Sequence, residues 1–232
     1  MGNEVKEFYD DYVPHQRSVG INIRHHSIIN RLKRAGLNAS SNVLEIGCGI
    51  GTLTTLLAKV VTSGKIVSYD ISDESVKFAR KLLAGHKNIE FIVADIVDHQ
   101  DARKFDVIVL ADVLEHVPVE THARVFQKLA SMMNAGSTLA INIPFPHYLA
   151  WVTQHMPGEL QVIDQVLHTD ALLAAAYPAG LYLHRLETYS LWMRPADYQW
   201  IEFRRNEGMQ QYTKKSKLEV MKRSIGVRMG RS

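Results

Sequence analysis

Three glycines alternate in Val43–Gly51, VLEIGCGIG, directly after an apolar run and the acid Glu45. Alternating glycines let the backbone approach a ligand that side chains would hold away. The spacing is Gly47-x-Gly49-x-Gly51, and Thr52 stands where the dinucleotide pattern G-x-G-x-x-G needs its third glycine. Glu45 would repel a phosphate at this turn and suits a ligand that carries positive charge. Asp70 lies 19 residues beyond Gly51, where a carboxylate can accept both hydroxyls of a ribose. Asp95, in VADI, can accept from the exocyclic amine of adenine, with Ile71 and Ile96 closing on the ring faces. These residues together ask for an adenosine without phosphates, joined to a cationic group.

A second set of residues can move protons. His116 in ADVLEHVP, His147 in IPFPHY and His25 in INIRHHSI are the candidate bases among eleven histidines. His86, His99 and His122 read as surface positions. Asp112-x-x-Glu115-His116 also offers three ligand types within one helical turn, and His147 or His168 can be a fourth. A divalent metal is one reading of that group. A helix start that favours acids is the other. Cys48, the single cysteine, sits inside the glycine turn, where a small packing side chain is needed.

Apolar runs alternate with segments of helical period, and these must position the residues above. Strands are expected at 42–46, 65–69, 89–93, 105–110 and 137–143, the last stopped by Pro144 and Pro146. Helices are expected at 52–61, from an N-cap at Ser72 to about Ala84, and from Pro118 to about Met133. Glu159 to Ala176 reads as mostly helical. Leu181 to Leu191 and Gln199 to Phe203 read as an antiparallel strand pair, and two helices precede the first strand. Such alternation predicts a parallel sheet covered on both faces, with ligands beyond the carboxyl ends of its strands.

With S-adenosylmethionine as the molecule of the required composition, residues 42–143 resemble a class I S-adenosylmethionine-dependent methyltransferase of the small-molecule type. The resemblance rests on VLEIGCGIG, IVSYDIS, VADI and FDVIVLADVLEHVP, in that order. It implies an α/β fold: a seven-stranded Rossmann-like sheet of order 3-2-1-4-5-7-6, strand 7 antiparallel, flanked by helices. It implies a cofactor site at Glu45, Gly47, Gly49, Gly51, Asp70, Ile71, Asp95, Ile96 and Ala111. A similar Glu-x-x-Glu-His pattern carries a divalent metal in the small-RNA 3′-end methyltransferases, although Asp112 is shorter than the glutamate there.

Three regions are expected: a helical lid at 1–40, the cofactor-binding core at 41–206 and a basic tail at 207–232. The lid is rich in aromatics and cations, and Tyr12 and Arg24 are expected to contact substrate, as is Tyr148 after the fifth strand. The acceptor is expected to be a small molecule methylated on oxygen or nitrogen. The basic tail admits an RNA or protein acceptor instead, and a non-catalytic cofactor-binding subunit is a further alternative. Without an Asn/Asp-Pro-Pro-Phe/Tyr motif after strand four, methylation of nucleic-acid bases or glutamine is not expected.

The net charge of +3 hides an uneven spread, because nine of the Lys and Arg residues but only two acids lie in 204–232. That end reads more readily as solvated than as a binding surface. No run of 18 apolar residues suggests a membrane span. A polar N-terminus and a lone cysteine suggest a cytoplasmic location. The oligomeric state is not set by the sequence.

Overall fold

The computed structural model describes residues 3–205 and 213–228, so the expected tail lies partly outside the described residues. Val43–Ile46 (β1), Ile66–Asp70 (β2), Ile89–Val93 (β3), Phe105–Ala111 (β4) and Met133–Pro144 (β5) pair in parallel. Leu181–Tyr189 (β6) and Tyr198–Arg205 (β7) complete one sheet. Its order is β3-β2-β1-β4-β5-β7-β6, with β7 antiparallel to both neighbours, as expected.

The strands read as unbroken apolar runs because both sheet faces are covered. Along β4, Val107 and Val109 join one core with Ile28, Leu57 and Trp200. Ile108 and Leu110 point the other way, into a core with Phe126, Leu129 and Phe203. The first core is closed by helices α2 (Ile23–Arg34) and α3 (Thr52–Ala58), the second by α5 (His122–Ser131) and α7 (Thr169–Ala176). Each fully buried aliphatic side chain contributes roughly 1.5–3 kcal/mol over leaving it in water.

The remaining helices are α1 (Asn3–Val19), α4 (Asp73–Leu82), α6 (Pro146–His155) and α8 (Lys217–Arg228). Ser72 caps α4 as expected, its side chain accepting from the Ser75 amide, with Asp73 and Glu74 in the first turn. That helix end also anchors α1. The Asp10 carboxylate accepts from Ser72 Oγ at 2.5 Å and from the Glu74 amide at 3.2 Å. Lys6 pairs with Asp73, and the Arg17 guanidinium lies 5.2 Å from the centre of the Phe78 ring.

Two expected helices are corrected. Pro118 heads only a 3-10 turn at Val119–Thr121, and α5 starts at His122. The segment 160–168 is irregular, so helix begins only at Thr169. There the Asp164 side chain accepts from the Gln161 amide, and Gln165 bonds the carbonyls of Glu115 and Val117. These bonds compete with the helical ladder and hold the segment against the turn after β4. In the tail, α8 is present and residues 213–221 are exposed. Among the described residues no helix is long and apolar enough to cross a membrane.

Candidate active site

The glycine turn is pinned by its own backbone. The Gly47 and Cys48 amides both donate to the Tyr69 carbonyl, and the Gly49 amide donates to Asp70 Oδ2 at 2.7 Å. Gly47 has φ +73°, and a Cβ there would lie 2.2 Å from Val113 Cγ2. Gly51, in the left-handed region, starts α3. Cys48 is buried and its thiol is pushed up by that burial, which suits packing and not nucleophilic attack.

Two cavities open beyond the strand ends. The smaller, about 100 Å³, is lined by Gly47, Gly49, Asp70, Ile71, Asp95 and Ile96, with Tyr9 and Gln16 from α1 above them. Asp70 accepts from the Gly49 and Ser72 amides, and these bonds oppose the upward push of its burial. Asp95 accepts from the Val97 amide at 2.8 Å. The larger cavity, about 380 Å³, has Glu45, Cys48, Thr52 and Ala111 in its wall. Tyr12, His15, Arg24 and His25 come from the N-terminal helices, and Trp192 from the loop between β6 and β7. Tyr9, Gln16, Gly47, Gly49, Asp112 and His116 line both, so the two cavities meet at these residues.

Glu45 is buried under the turn, where Thr54 Oγ1 and Ser68 Oγ donate to one of its oxygens at 2.6 and 2.7 Å. Burial outweighs both bonds and pushes the carboxyl up to about 7. An acid raised in the folded state stabilises the fold below its ordinary value of 4.5, and that contribution is lost as pH rises through about 7. The loss is on the order of 3 kcal/mol. Glu45→Gln should therefore melt several degrees above the wild type at pH 8, with a clearly smaller gap at pH 5. Thermal unfolding at both pH values checks this, and a gap that does not widen with pH rules it out.

Beyond β4 the site is a cluster of buried charge. Asp112 has φ +55°, a conformation few residues other than glycine accept and one that concentrates at functional sites. Its carboxylate pairs with Arg24 Nη1 at 3.1 Å and takes a weak 3.4 Å bond from Asn142. Burial raises Asp112, and Arg24 opposes that shift. Arg24 also reaches the Tyr198 hydroxyl at 3.3 Å, while its buried Nε has no partner. Glu115 is buried and held well above the ordinary carboxylate range, first by desolvation and then by Asp112.

The proton on His116 is assigned by its neighbours. Nδ1 hydrogen-bonds the Ile163 carbonyl and lies 3.2 Å from Asp164 Oδ1. A carbonyl only accepts, so Nδ1 carries a hydrogen, and in the neutral ring the lone pair is then on Nε2. Nε2 is 4.0 Å from Glu115, beyond hydrogen-bonding range.

The other two histidines are placed differently. His25 lines the larger cavity, but the Asn22 amide donates to Nδ1 and Nε2 bonds Thr52 Oγ1 at 3.2 Å. Burial pushes His25 down to about 4, so it is a neutral strut between α2 and α3 with no nitrogen left for a base. His147 and Tyr148 line neither cavity. In α6 the inward positions are Pro146, Leu149 and Val152, which leaves His147 exposed and Tyr148 stacked on Trp151. His168 is exposed as well. Among the described residues no three His, Cys, Asp or Glu side chains are grouped to hold a metal ion. Asp112 is engaged by Arg24 and His116 by the 163–164 backbone and carboxylate instead.

Sequence reasoning missed Gln16, Gln161, Asp164 and Trp192. Gln16 had a signal: Tyr9, Tyr12 and Gln16 repeat at i, i+3 and i+7 on one helix face. Asp164 had none, because its segment reads as helix.

The profile of the family described as "Methyltransferase domain" matches residues 37–186. The chain belongs to that methyltransferase family. Within it, the chain is 29% identical over 107 residues to malonyl-(acyl-carrier protein) O-methyltransferase 1 of Ilyobacter polytropus, covering 46% of this chain and 39% of that protein. It is 31% identical over 154 residues to the ubiquinone biosynthesis O-methyltransferase of Coxiella burnetii, covering 61% and 64%. The chain thus spans about two fifths of the length of the first curated relatives it matches. The N-methyltransferase NodS of Bradyrhizobium japonicum, solved with S-adenosyl-L-homocysteine, superposes with a TM-score of 0.64 at 21% identity. That likeness covers 80% of this chain and 89% of NodS, and shows a shared methyltransferase fold.

Proposed function

We propose that this protein transfers a methyl group from S-adenosylmethionine to a hydroxyl oxygen of a small acceptor. The carrying observation is the junction where the two cavities meet, with His116 in its wall and Nε2 as the nitrogen still able to take a proton. Gly47 and Gly49 lie in the wall of both cavities, and the buried Gln16 oxygen beside them has no partner; both observations fit a ligand that runs along the turn and donates to that oxygen.

The cofactor, when bound, supplies an electrophilic sulfonium methyl. In this reading Asp70 receives the ribose hydroxyls, Asp95 the adenine amine, and Ile71 and Ile96 hold the ring faces. Glu45 and Ala111 flank the amino-acid end. Residues 1–40 act as the lid, 41–206 as the core and 207–232 as an appendage. Tyr12 contributes a ring over the acceptor. Arg24, its charge already balanced by Asp112, contributes its spare Nε–H and not a free cation. His116 accepts the hydroxyl proton as the oxygen attacks in line, and Asp164 steadies the imidazolium that results. The lid keeps water from the methyl. The names of the two O-methyltransferase relatives are in keeping with oxygen, whereas that of NodS keeps nitrogen as the alternative.

Calorimetry with S-adenosylhomocysteine should give one site per chain. A panel of hydroxyl, carboxyl and amine acceptors, read by release of that product, should then respond to hydroxyls. Turnover on amines alone retires the oxygen assignment, and absence of any binding retires the whole reading.

A further inference from the structure

The side of the cofactor site that faces α1 has an acceptor without a donor. Gln16 Oε1 is buried and makes no hydrogen bond. An orphaned buried carbonyl is costly, and it commonly marks a place where a ligand completes the bond. The Gln16 carboxamide stands directly over the glycine turn, its atoms 2.9 to 3.3 Å from where a Cβ on Gly49 would be. It belongs to the wall of both cavities. The helix that carries it is fixed from a distance, through Asp10, to the cap of α4 two residues beyond Asp70.

A molecule of S-adenosylmethionine has three kinds of hydrogen-bond donor. The adenine amine and the ribose hydroxyls fall to Asp95 and Asp70 at the floor of the smaller cavity. The methionine ammonium must lie on the opposite side, towards the larger cavity, where Glu45 is shielded under the turn by Thr54 and Ser68. Gln16 faces that space from above.

We infer that Gln16 is a cofactor-binding residue whose side-chain carbonyl accepts from the ammonium group of the methionine moiety, so that α1 closes on the amino-acid end of the ligand. The assignment rests on the cofactor reading above. It gives the lid a chemical reason to sit where it does: the bond to a charged donor forms only when both helix and ligand are in place.

The test compares two probes, S-adenosylhomocysteine and 5′-methylthioadenosine, which has the nucleoside but no amino-acid end. Gln16→Leu keeps the volume and removes the acceptor. By calorimetry it should weaken S-adenosylhomocysteine by about tenfold or more, the usual worth of a bond to a charged group. Its affinity for 5′-methylthioadenosine should stay within about twofold, which also reports a folded site. Gln16→Glu, which restores an acceptor, should recover S-adenosylhomocysteine binding. Equal losses for both probes, or no loss for either, overturn the assignment while leaving the cofactor reading intact. A wild-type protein that binds neither probe overturns both.

Discussion

His116→Gln should lower kcat by about 10²- to 10⁴-fold, the usual worth of a positioned general base, while S-adenosylhomocysteine affinity stays within about threefold. The size of the effect follows from how completely the ring is prepared. The Ile163 carbonyl fixes the hydrogen on Nδ1, and Asp164 lies 3.2 Å away to balance the charge once Nε2 is protonated. Glutamine keeps a polar group of similar reach but cannot take a proton at neutral pH. Glu115 is not placed to substitute, since its carboxyl is buried and lines neither cavity. Single-turnover rates with the best acceptor from the panel, together with product affinity by calorimetry, separate chemistry from binding. A kcat within threefold of wild type would remove His116 from the proposed reaction.

Gly49→Val should abolish measurable cofactor binding, with an affinity loss of about 100-fold or more in a protein that still folds. Two effects act together. The backbone at Gly49 has φ +51°, which a β-branched residue does not accept without strain. The new side chain would also point at the Gln16 carboxamide and occupy the space between α1 and the turn. Gly49→Ala separates the two, because it carries the strain with little bulk and should lose less. Circular dichroism checks the fold, and normal affinity in Gly49→Val would mean that the turn is not the floor of the cofactor site. The neighbouring Gly47 is constrained by a different contact, since a Cβ there meets Val113 and not Gln16.

Much of this was legible without coordinates. Gly47, Gly49, Asp70, Ile71, Asp95 and Ile96 come from three separate segments, yet they line one cavity. Parallel strands explain it. Each segment leaves the same edge of the sheet, so residues just beyond β1, β2 and β3 are neighbours in space by topology alone. The same rule brings Asp112 and His116 to the edge after β4. It stops helping at β5, because Pro146 starts α6 at once and helical geometry turns His147 and Tyr148 aside. Period and punctuation in the sequence thus determined the strands, their order by family resemblance, and the residues at their ends. Only the tertiary structure decided which face of α1 lies over Gly49, which nitrogen of His116 is left with its lone pair, and that Asp164 reaches it from a segment with no regular structure. Those depend on contacts between residues tens of positions apart, whose free energies arise from packing and burial that no local pattern encodes.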